Sequence, residues 1–181
     1  AVGYTGGHVV NPSYEQVCAK TTGHVEAIEV TYNPTVVRYE KLLQLFFEIH
    51  DPTQKNGQGP DIGEQYLSAV FYVDNDQRKI ALQTMDFLRS EKKMDIATTL
   101  HPAEMFWAAE DYHQAYYEKT GKEPYCHVYK KIFWSFPFLH CRVKFYTKLK
   151  LPAEGGFALF SFLNLAMWHI FAHFDAPFLG T

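Results

Sequence analysis

GHVEAIEVTY, residues 23–32, alternates like a half-buried β-strand, yet one of its two glutamates lies among apolar residues. Successive side chains of a strand point to opposite faces, so Glu26 shares a face with Ile28 and Val30. Glu29 points to the other face. The first question that this sequence raises is why a carboxyl group belongs on the apolar face of a strand.

The segments around this strand predict a mixture of strands and helices. AVGYTGG, residues 1–7, is typical of a strand that runs into a glycine turn, and residues 8–22 are expected to form a polar loop. Residues 38–49 show the i, i+3, i+4, i+7 apolar spacing of an amphipathic helix. The patterns further predict strands over 66–73 and 95–100 and helices over 76–88 and 109–121. Because these elements follow no strict βαβ rhythm, we expect an α+β fold.

Several polar side chains lie in or beside loops. Residues 50–65 form a long loop rich in Gly, Pro, Asn and Asp, and such loops are often functional. Its Asp61 can also simply close a turn. Tyr14 and Tyr66 can donate hydrogen bonds without ionising at pH 7, with ordinary aromatic packing as the alternative. For His113, within EDYHQ, a packing role is favoured over an acid–base role.

Glu26 is the most informative of the candidate residues. A carboxyl group among apolar side chains loses solvation, so its pKa is expected to rise. A raised pKa would make Glu26 a general acid near neutral pH. The alternative is a glutamate at a strand edge whose head reaches water, and spacing alone favours that alternative, because glutamate is rarely fully buried.

The composition restricts the class of protein. A chain of 181 residues, 47% of them hydrophobic, suggests one domain with extensions and a substantial core. The net charge of −3 does not indicate binding to nucleic acid. Three cysteines are too few and too unevenly spaced for a secreted disulfide framework, so we expect a cytoplasmic protein.

The three cysteines differ in their surroundings. Cys126, in PYCHVY, is either a redox thiol or a small buried hydrophobic residue, and the second interpretation is favoured for any single cysteine. Cys141 lies between His140 and Arg142, which would lower the pKa of its thiol if they are close in space. Cys18 follows Tyr14 by one helical turn if that segment is helical.

Residues 134–181 differ in character from the rest of the chain. The run 157–174 contains no Asp, Glu, Lys or Arg and is at the lower length limit of a membrane span. Ser161 and Asn164 interrupt it, so a buried helix or an unassigned tail is favoured over a span. HIFAH, residues 169–173, spaces two histidines by four but offers no third ligand, and we expect no metal site.

Five segments together closely resemble the A-type methionine sulfoxide reductases. They are VGYTGG, NPSYEQVC, TGHVEAIEVTYNP, LFFEIHDPTQKNGQGPDIGEQYLSAVFY and AEDYHQAYY, in the order and spacing of that family, within about residues 1–130. The resemblance implies a reductase domain over 1–133, followed by an unassigned apolar tail over 134–181. The fold it implies is α+β, a mixed sheet with packed helices that resembles a ferredoxin-like plait.

The resemblance also implies a chemistry. Members reduce methionine-(S)-sulfoxide, free or in oxidised proteins, with thiols that a thioredoxin-like reductant regenerates; we expect a monomer without a cofactor. Glu26 matches the family's buried acid, Tyr14 and Tyr66 its two active-site tyrosines, and Asp61 the aspartate of its Gln-Gly-x-Asp loop. Cys126 falls where many members carry a recycling cysteine. Glu26 would then lie on the apolar face because it must stay protonated.

The sequence departs from the family pattern in three ways. The family's nucleophilic cysteine belongs to a Gly-Cys-Phe-Trp segment before VGYTGG, and the printed sequence contains no such segment. We therefore expect an N-terminally truncated chain, inactive alone, that lacks an initial strand and helix. Leu67 and Pro60 replace a usual Arg and Asn beside the candidate site. The alternative is a non-catalytic remnant that binds methionine sulfoxide or a partner protein.

Overall fold

The structure, a computed structural model, describes residues 1–122, 129–133 and 156–161. The strands in these ranges are β1 Val2–Thr5, β2 Val25–Tyr32, β3 Gly57–Gln58, β4 Asp61–Ile62, β5 Ala69–Tyr72, β6 Thr99–Pro102, β7 Trp107–Ala108 and β8 Gly156–Ser161. The helices are α1 Tyr14–Cys18, α2 Tyr39–Glu48, α3 Asn75–Ser90 and α4 Tyr116–Thr120, with a 3₁₀ turn over Glu64–Tyr66.

Six of these strands form one mixed sheet in the order β6-β5-β8-β2-β1-β7. Strands β5 and β6 run parallel, and the other neighbouring pairs are antiparallel. β3 and β4 form a separate hairpin. The mixed sheet with packed helices confirms the α+β class, whereas the finer likeness to a ferredoxin-like plait stays a prediction.

The larger core lies on the face of the sheet that carries α2 and α3. The ring of Phe160, in β8, stacks on Phe46 of α2 at 5.0 Å and on Tyr39 at 6.1 Å between centroids. The largest fully buried side chains of this core are Tyr4, Ile28, Leu42, Leu43, Phe46, Phe47, Ile49, Leu88 and Phe160. Burial of each such aliphatic or phenylalanine side chain contributes about 1.5–3 kcal/mol.

The opposite face of the sheet is covered by the connection between β6 and β7. Phe106 of that connection packs against a smaller cluster that includes Ala27, Phe71 and Leu159. Its ring lies so close to Gly3 that a Cβ atom there would meet Phe106 Cζ at 2.6 Å. The absence of a side chain at residue 3 therefore lets the connection lie directly on β1.

The two long helices agree with the sequence predictions, because their apolar spacing is long and regular. α2 was expected over 38–49 and α3 over 76–88, and both form within two residues of those limits. Asp74 caps α3, since its Oδ1 accepts a hydrogen bond of 2.7 Å from the Gln77 backbone N–H.

Four local predictions were wrong in their limits. The strand expected over 66–73 is β5, which begins at Ala69, and Tyr66 belongs to the 3₁₀ turn. Residues 8–22 contain the helix α1 as well as loop. The helix expected over 109–121 is reduced to α4, because Gln114 bonds the backbone of β1: its Nε2 donates to Val2 O at 2.8 Å, and its Oε1 accepts from Val2 N–H at 3.0 Å. The strand expected over 95–100 lies at β6, and residues 95–98 precede it without regular structure.

The segment 129–133 is attached to α2 by one buried carboxylate. Glu48 Oε1 accepts hydrogen bonds of 2.9 Å from the backbone N–H groups of Ile132 and Phe133. Its Oε2 accepts a bond of 3.0 Å from the Tyr129 hydroxyl. Glu48 therefore fixes this segment against the helical layer of the fold.

The apolar run near the C-terminus begins as a strand. Residues 156–161 form β8 in the middle of the sheet, so the helix considered for 157–174 is wrong for its first five residues. The remainder of that run lies outside the described residues. Within the described part of the chain, no helix is long and apolar enough to cross a membrane.

Candidate active site

Glu26 lies on the helix-bearing face of β2, opposite Tyr4 of β1. Only 2% of its surface is exposed, so the alternative in which its head reaches water is wrong. The single proton of the Ser161 hydroxyl is shared between two carbonyl oxygens, Glu26 O at 2.8 Å and Leu67 O at 3.0 Å. Ser161 thus links this point of β2 to the chain that follows the 3₁₀ turn.

Tyr14 is the first residue of α1, and a capping box fixes the start of that helix. Ser13 Oγ accepts from the Gln16 backbone N–H at 3.4 Å, while Gln16 Oε1 accepts from the Ser13 N–H at 2.9 Å. The Tyr14 hydroxyl shares a hydrogen bond with the Cys18 thiol one turn later. That bond, burial and the charge of Cys18 raise the pKa of Tyr14 well above its ordinary value, so the phenol stays protonated; the charge of Glu26 adds a smaller effect.

Tyr66 ends the 3₁₀ turn and lies near the same carboxyl group. Burial, and after it the charge of Glu26, raises the pKa of Tyr66 to about 12, while a hydrogen bond with Gln65 acts in the opposite direction. Cys18 and Asp61 add smaller effects that also raise it. Tyr66 is thus a second neutral phenol beside Glu26.

Asp61 lies in the β3–β4 hairpin, at the margin of this group. The hairpin pairs Gln58 with Asp61, and a Cβ atom at Gly57 would lie 2.1 Å from the Asp61 carbonyl oxygen. Gln58 links the hairpin to the loop that follows α2, because its side chain accepts from Asp51 N–H and donates to Asp51 O. The structure therefore brings Glu26, Tyr14 and Tyr66 together and puts Asp61 beside Tyr66.

Glu110 is a residue of this region that the sequence analysis did not identify. Its Oε1 accepts a bond of 2.9 Å from the Tyr14 backbone N–H, and its Oε2 accepts one of 3.0 Å from the Tyr4 hydroxyl. Burial acts to raise the pKa of Glu110, but these hydrogen bonds and one from its own backbone outweigh burial and lower it. Its partners lie about a hundred residues earlier in the chain, so no local pattern could reveal the contact.

His113 packs between two tyrosine rings, as the sequence analysis favoured. Its ring centroid lies 4.8 Å from that of Tyr14 and 4.3 Å from that of Tyr112. Burial lowers the pKa of His113, against the opposing charge of Glu110. A neutral imidazole here supports the Tyr14 ring from the side.

A buried histidine holds the glycine turn in front of α1. His24 Nε2 donates a bond of 2.8 Å to Val9 O, and its Nδ1 accepts one of 3.1 Å from the Gly7 backbone N–H. A Cβ atom at Gly7 would lie 2.4 Å from His24 N, so this turn requires glycine. The His24 ring thereby links the loop leading to Tyr14 with the strand that carries Glu26.

The other sequence candidates lie outside the described residues. These are Cys126, Cys141 and the histidines of 169–173, and their predicted roles stay predictions. Cys18 is the free cysteine of the described part. In that same part, no group of three or more His, Cys, Asp or Glu side chains could hold a metal ion.

Comparison with known proteins identifies the family. Residues 1–135 match the family described as "Peptide methionine sulfoxide reductase". The chain belongs to this family. It is 45% identical over 126 residues to a peptide methionine sulfoxide reductase MsrA of Saccharolobus solfataricus, an alignment that covers 70% of this chain and 71% of the relative. It is 47% identical over 125 residues to an MsrA of Nautilia profundicola, covering 69% and 72%.

Two solved structures share this fold. The reduced form of Mxr1 from Saccharomyces cerevisiae superposes with a TM-score of 0.67 at 35% identity, covering 71% of this chain and 76% of that one. Methionine sulfoxide reductase A of Corynebacterium diphtheriae gives 0.58 at 35% identity, covering 67% and 63%. The family expected from the sequence motifs is confirmed. By homology the chain has methionine sulfoxide reductase A activity, with oxidised methionine as substrate. These comparisons do not support the expectation that the chain is inactive alone, and the expected truncation stays a prediction.

Proposed function

We propose that this protein reduces methionine-(S)-sulfoxide, free and in proteins, and that Glu26, Tyr14 and Tyr66 bind the sulfoxide oxygen. The observation that carries the proposal is the burial of Glu26 beside two phenols whose pKa values are raised. Burial disfavours the charged form of a carboxyl group, so it favours a Glu26 that can give a proton.

Protonation answers the main chemical difficulty of the reaction. A sulfoxide oxygen leaves poorly until it gains a proton or strong hydrogen bonds. Glu26 would supply the proton, and Tyr14 and Tyr66 would donate hydrogen bonds to the same oxygen. Each well-placed donor lowers the barrier by about 3 kcal/mol, so the group together would contribute several kcal/mol.

The reducing electrons come from thiols. A thiolate attacks the sulfoxide sulfur, methionine is released, and the attacking cysteine becomes a sulfenic acid. A second thiol condenses with the sulfenic acid, which releases water and forms a disulfide that a thioredoxin-like reductant reopens by exchange. We propose Cys126 as the second thiol. The family's Gly-Cys-Phe-Trp nucleophile segment does not occur in residues 1–181.

Asp61 would act through Tyr66 rather than on the sulfoxide. Its charge is among the influences that raise the pKa of Tyr66, which favours a neutral phenol. We further propose that residues 1–133 form the catalytic domain and that the protein works as a cytoplasmic monomer.

The proposal is tested with a short peptide that carries either the (S)- or the (R)-sulfoxide of methionine. Isothermal titration of the 181-residue chain should give binding of the (S) peptide that Glu26→Ala weakens, and weaker binding of the (R) peptide. With dithiothreitol, loss of the (S) peptide and not the (R) peptide is expected. Equal binding and equal loss of the (S) and (R) peptides would contradict the proposal. Stereospecific binding without turnover would favour the alternative of a non-catalytic sulfoxide-binding protein.

A further inference from the structure

Met105 lies on the face of the sheet opposite Glu26. It belongs to the connection between β6 and β7, and 66% of its surface is exposed. The Thr5 hydroxyl donates a bond of 3.1 Å to Met105 O. Side chains alternate along β1, so Thr5 points away from the face on which Tyr4 meets Glu26. Phe106, the next residue, packs into the smaller core of that opposite face.

The methionines of this chain differ in their access to solvent. The sequence contains four, of which Met167 lies outside the described residues. Met85 is buried in the larger core with 3% of its surface exposed, and Met94 is partly buried against the same core. Oxidation of methionine follows the access of the oxidant to sulfur. Met105 is therefore the described methionine most open to oxidation.

We propose that Met105 is a reversible oxidation site whose (S)-sulfoxide is reduced by a second copy of this chain. The inference rests on the proposed function and adds a protein substrate to it. In the forward step a peroxide transfers one oxygen atom to the Met105 thioether; sulfur loses two electrons, and the peroxide is reduced to water or an alcohol. In the reverse step that oxygen leaves as water with two protons, while two thiols become a disulfide.

The geometry excludes reduction of Met105 by Glu26 of the same molecule. The paired strands β1 and β2 separate the two residues. The connection is also fixed at both ends: the Ala103 backbone N–H donates to Tyr72 O at 2.8 Å, and β7 pairs with β1 directly after Phe106. Met105 therefore cannot reach the other face without loss of sheet pairing, and the repair must be bimolecular.

The test separates substrate and enzyme into two variants. Glu26→Gln supplies the oxidised substrate, because it is expected to be deficient in reduction. Met105→Leu supplies the enzyme, because it keeps an apolar side chain of similar volume and removes the sulfur. The first variant is treated with hydrogen peroxide, freed of peroxide by catalase, and mixed with the second in dithiothreitol. Peptide mass spectrometry follows the added oxygen on Met105 and, as an internal control, on Met85.

The expected result has three parts. Met105 gains oxygen at least roughly tenfold faster than Met85, in line with its access to solvent. About half of its sulfoxide, the (S) epimer, is then reduced, at an initial rate proportional to the concentration of Met105→Leu protein. Oxidised Glu26→Gln protein alone stays oxidised.

Each other outcome overturns the inference. If Met105 is oxidised no faster than Met85, Met105 is not a preferred oxidation site and the inference fails. If the rate of repair does not depend on the concentration of added Met105→Leu protein, a second copy of the chain does not carry out the reduction and the inference fails. If Met105→Leu protein reduces a free (S)-sulfoxide peptide but not oxidised Met105, the inference fails and the proposed function survives. If it reduces neither, both fail.

Discussion

Glu26 and Glu110 are two carboxyl groups of one region that lie in different surroundings. Only 2% of the surface of Glu26 is exposed, and burial disfavours the charged form of a carboxyl group. Glu110 accepts hydrogen bonds from the Tyr14 backbone and the Tyr4 hydroxyl, which favour its ionised form. In the proposed mechanism Glu26 delivers a proton while Glu110 holds the framework in place.

Glu110→Gln tests the framework role at the level of a single residue. An amide makes weaker hydrogen bonds than a carboxylate and offers only one acceptor oxygen, so Tyr14 should be less well fixed. We expect kcat to fall roughly tenfold to a hundredfold with little change in KM, as when a catalytic group is displaced by about 1 Å. Asp111→Asn, at the exposed neighbouring residue, should keep full activity. If Glu110→Gln raises KM and leaves kcat unchanged, the framework role of Glu110 is contradicted.

Glu110 also predicts a pH dependence of stability. Its pKa is lower in the folded protein than the ordinary value of 4.5, so its ionised form stabilises the fold. This contribution is complete above about pH 4.5 and is lost as the pH falls through the folded pKa. Urea unfolding should show the unmutated chain more stable than Glu110→Gln at pH 7, with the difference shrinking below pH 4.5. A constant difference across that range would contradict the assignment.

The sequence predicted part of the candidate site. Glu26 was identified because strand alternation locates its side chain, and the motifs added Tyr14, Tyr66 and Asp61. Glu110 was not identified, because its role depends on contacts across 96 and 106 residues of chain that only the fold brings together.

At the scale of elements, α1 is short and depends on its cap. A helix of five residues has little stability of its own, so Ser13 should matter to the orientation of Tyr14. Ser13→Ala and Asp74→Ala each remove a cap, from α1 and α3 respectively, and each should cost about 0.5–2 kcal/mol of stability. Only Ser13→Ala should also reduce the rate of sulfoxide reduction.

Comparison of these two cap variants separates local stability from catalysis. Thermal unfolding gives the stability of each, and kcat is measured well below both unfolding temperatures. Equal kcat values in the two variants would show that α1 does not position Tyr14.

The elements differ in how well the sequence predicted them, for physical reasons. α2 and α3 have apolar residues on one side over several turns, and a pattern of this length is readily recognised in the sequence. α1 is too short to show a period, and only its cap residues mark it. β8 is buried on both faces, with Ala158 and Phe160 in one core and Leu159 in the other. Such a strand has a continuous apolar sequence, which periodicity cannot distinguish from a buried helix.

At the scale of the whole molecule, β8 connects the two halves of the sheet. It pairs with β2 on one side and with β5 on the other, and no other described strand joins them. Glu26 and the chain that follows Tyr66 therefore keep their relative positions through β8. Residues 156–161 lie beyond residue 135, where the family match ends.

Two phenylalanines of β8 test this role. Phe160 is fully buried against α2, whereas Phe157 has 49% of its surface exposed. Phe160→Ala should lower the free energy of unfolding by about 3–5 kcal/mol. Phe157→Ala should change it by less than about 0.5 kcal/mol, as surface substitutions usually do. Similar small effects of both changes, measured by denaturant unfolding, would mean that β8 is not a central strand.

The measurement that tests the central claim most directly compares Glu26→Gln with Glu29→Gln in the reduction of a methionine-(S)-sulfoxide peptide. Both changes remove one carboxyl group from β2, but Glu29 points to the other face, and its strand contacts with Ala1 use the backbone. If Glu26 gives the proton, Glu26→Gln should lose roughly 10²–10⁴ in rate while Glu29→Gln stays near the full rate. Equal losses in the two variants, or full activity of Glu26→Gln, would contradict the account.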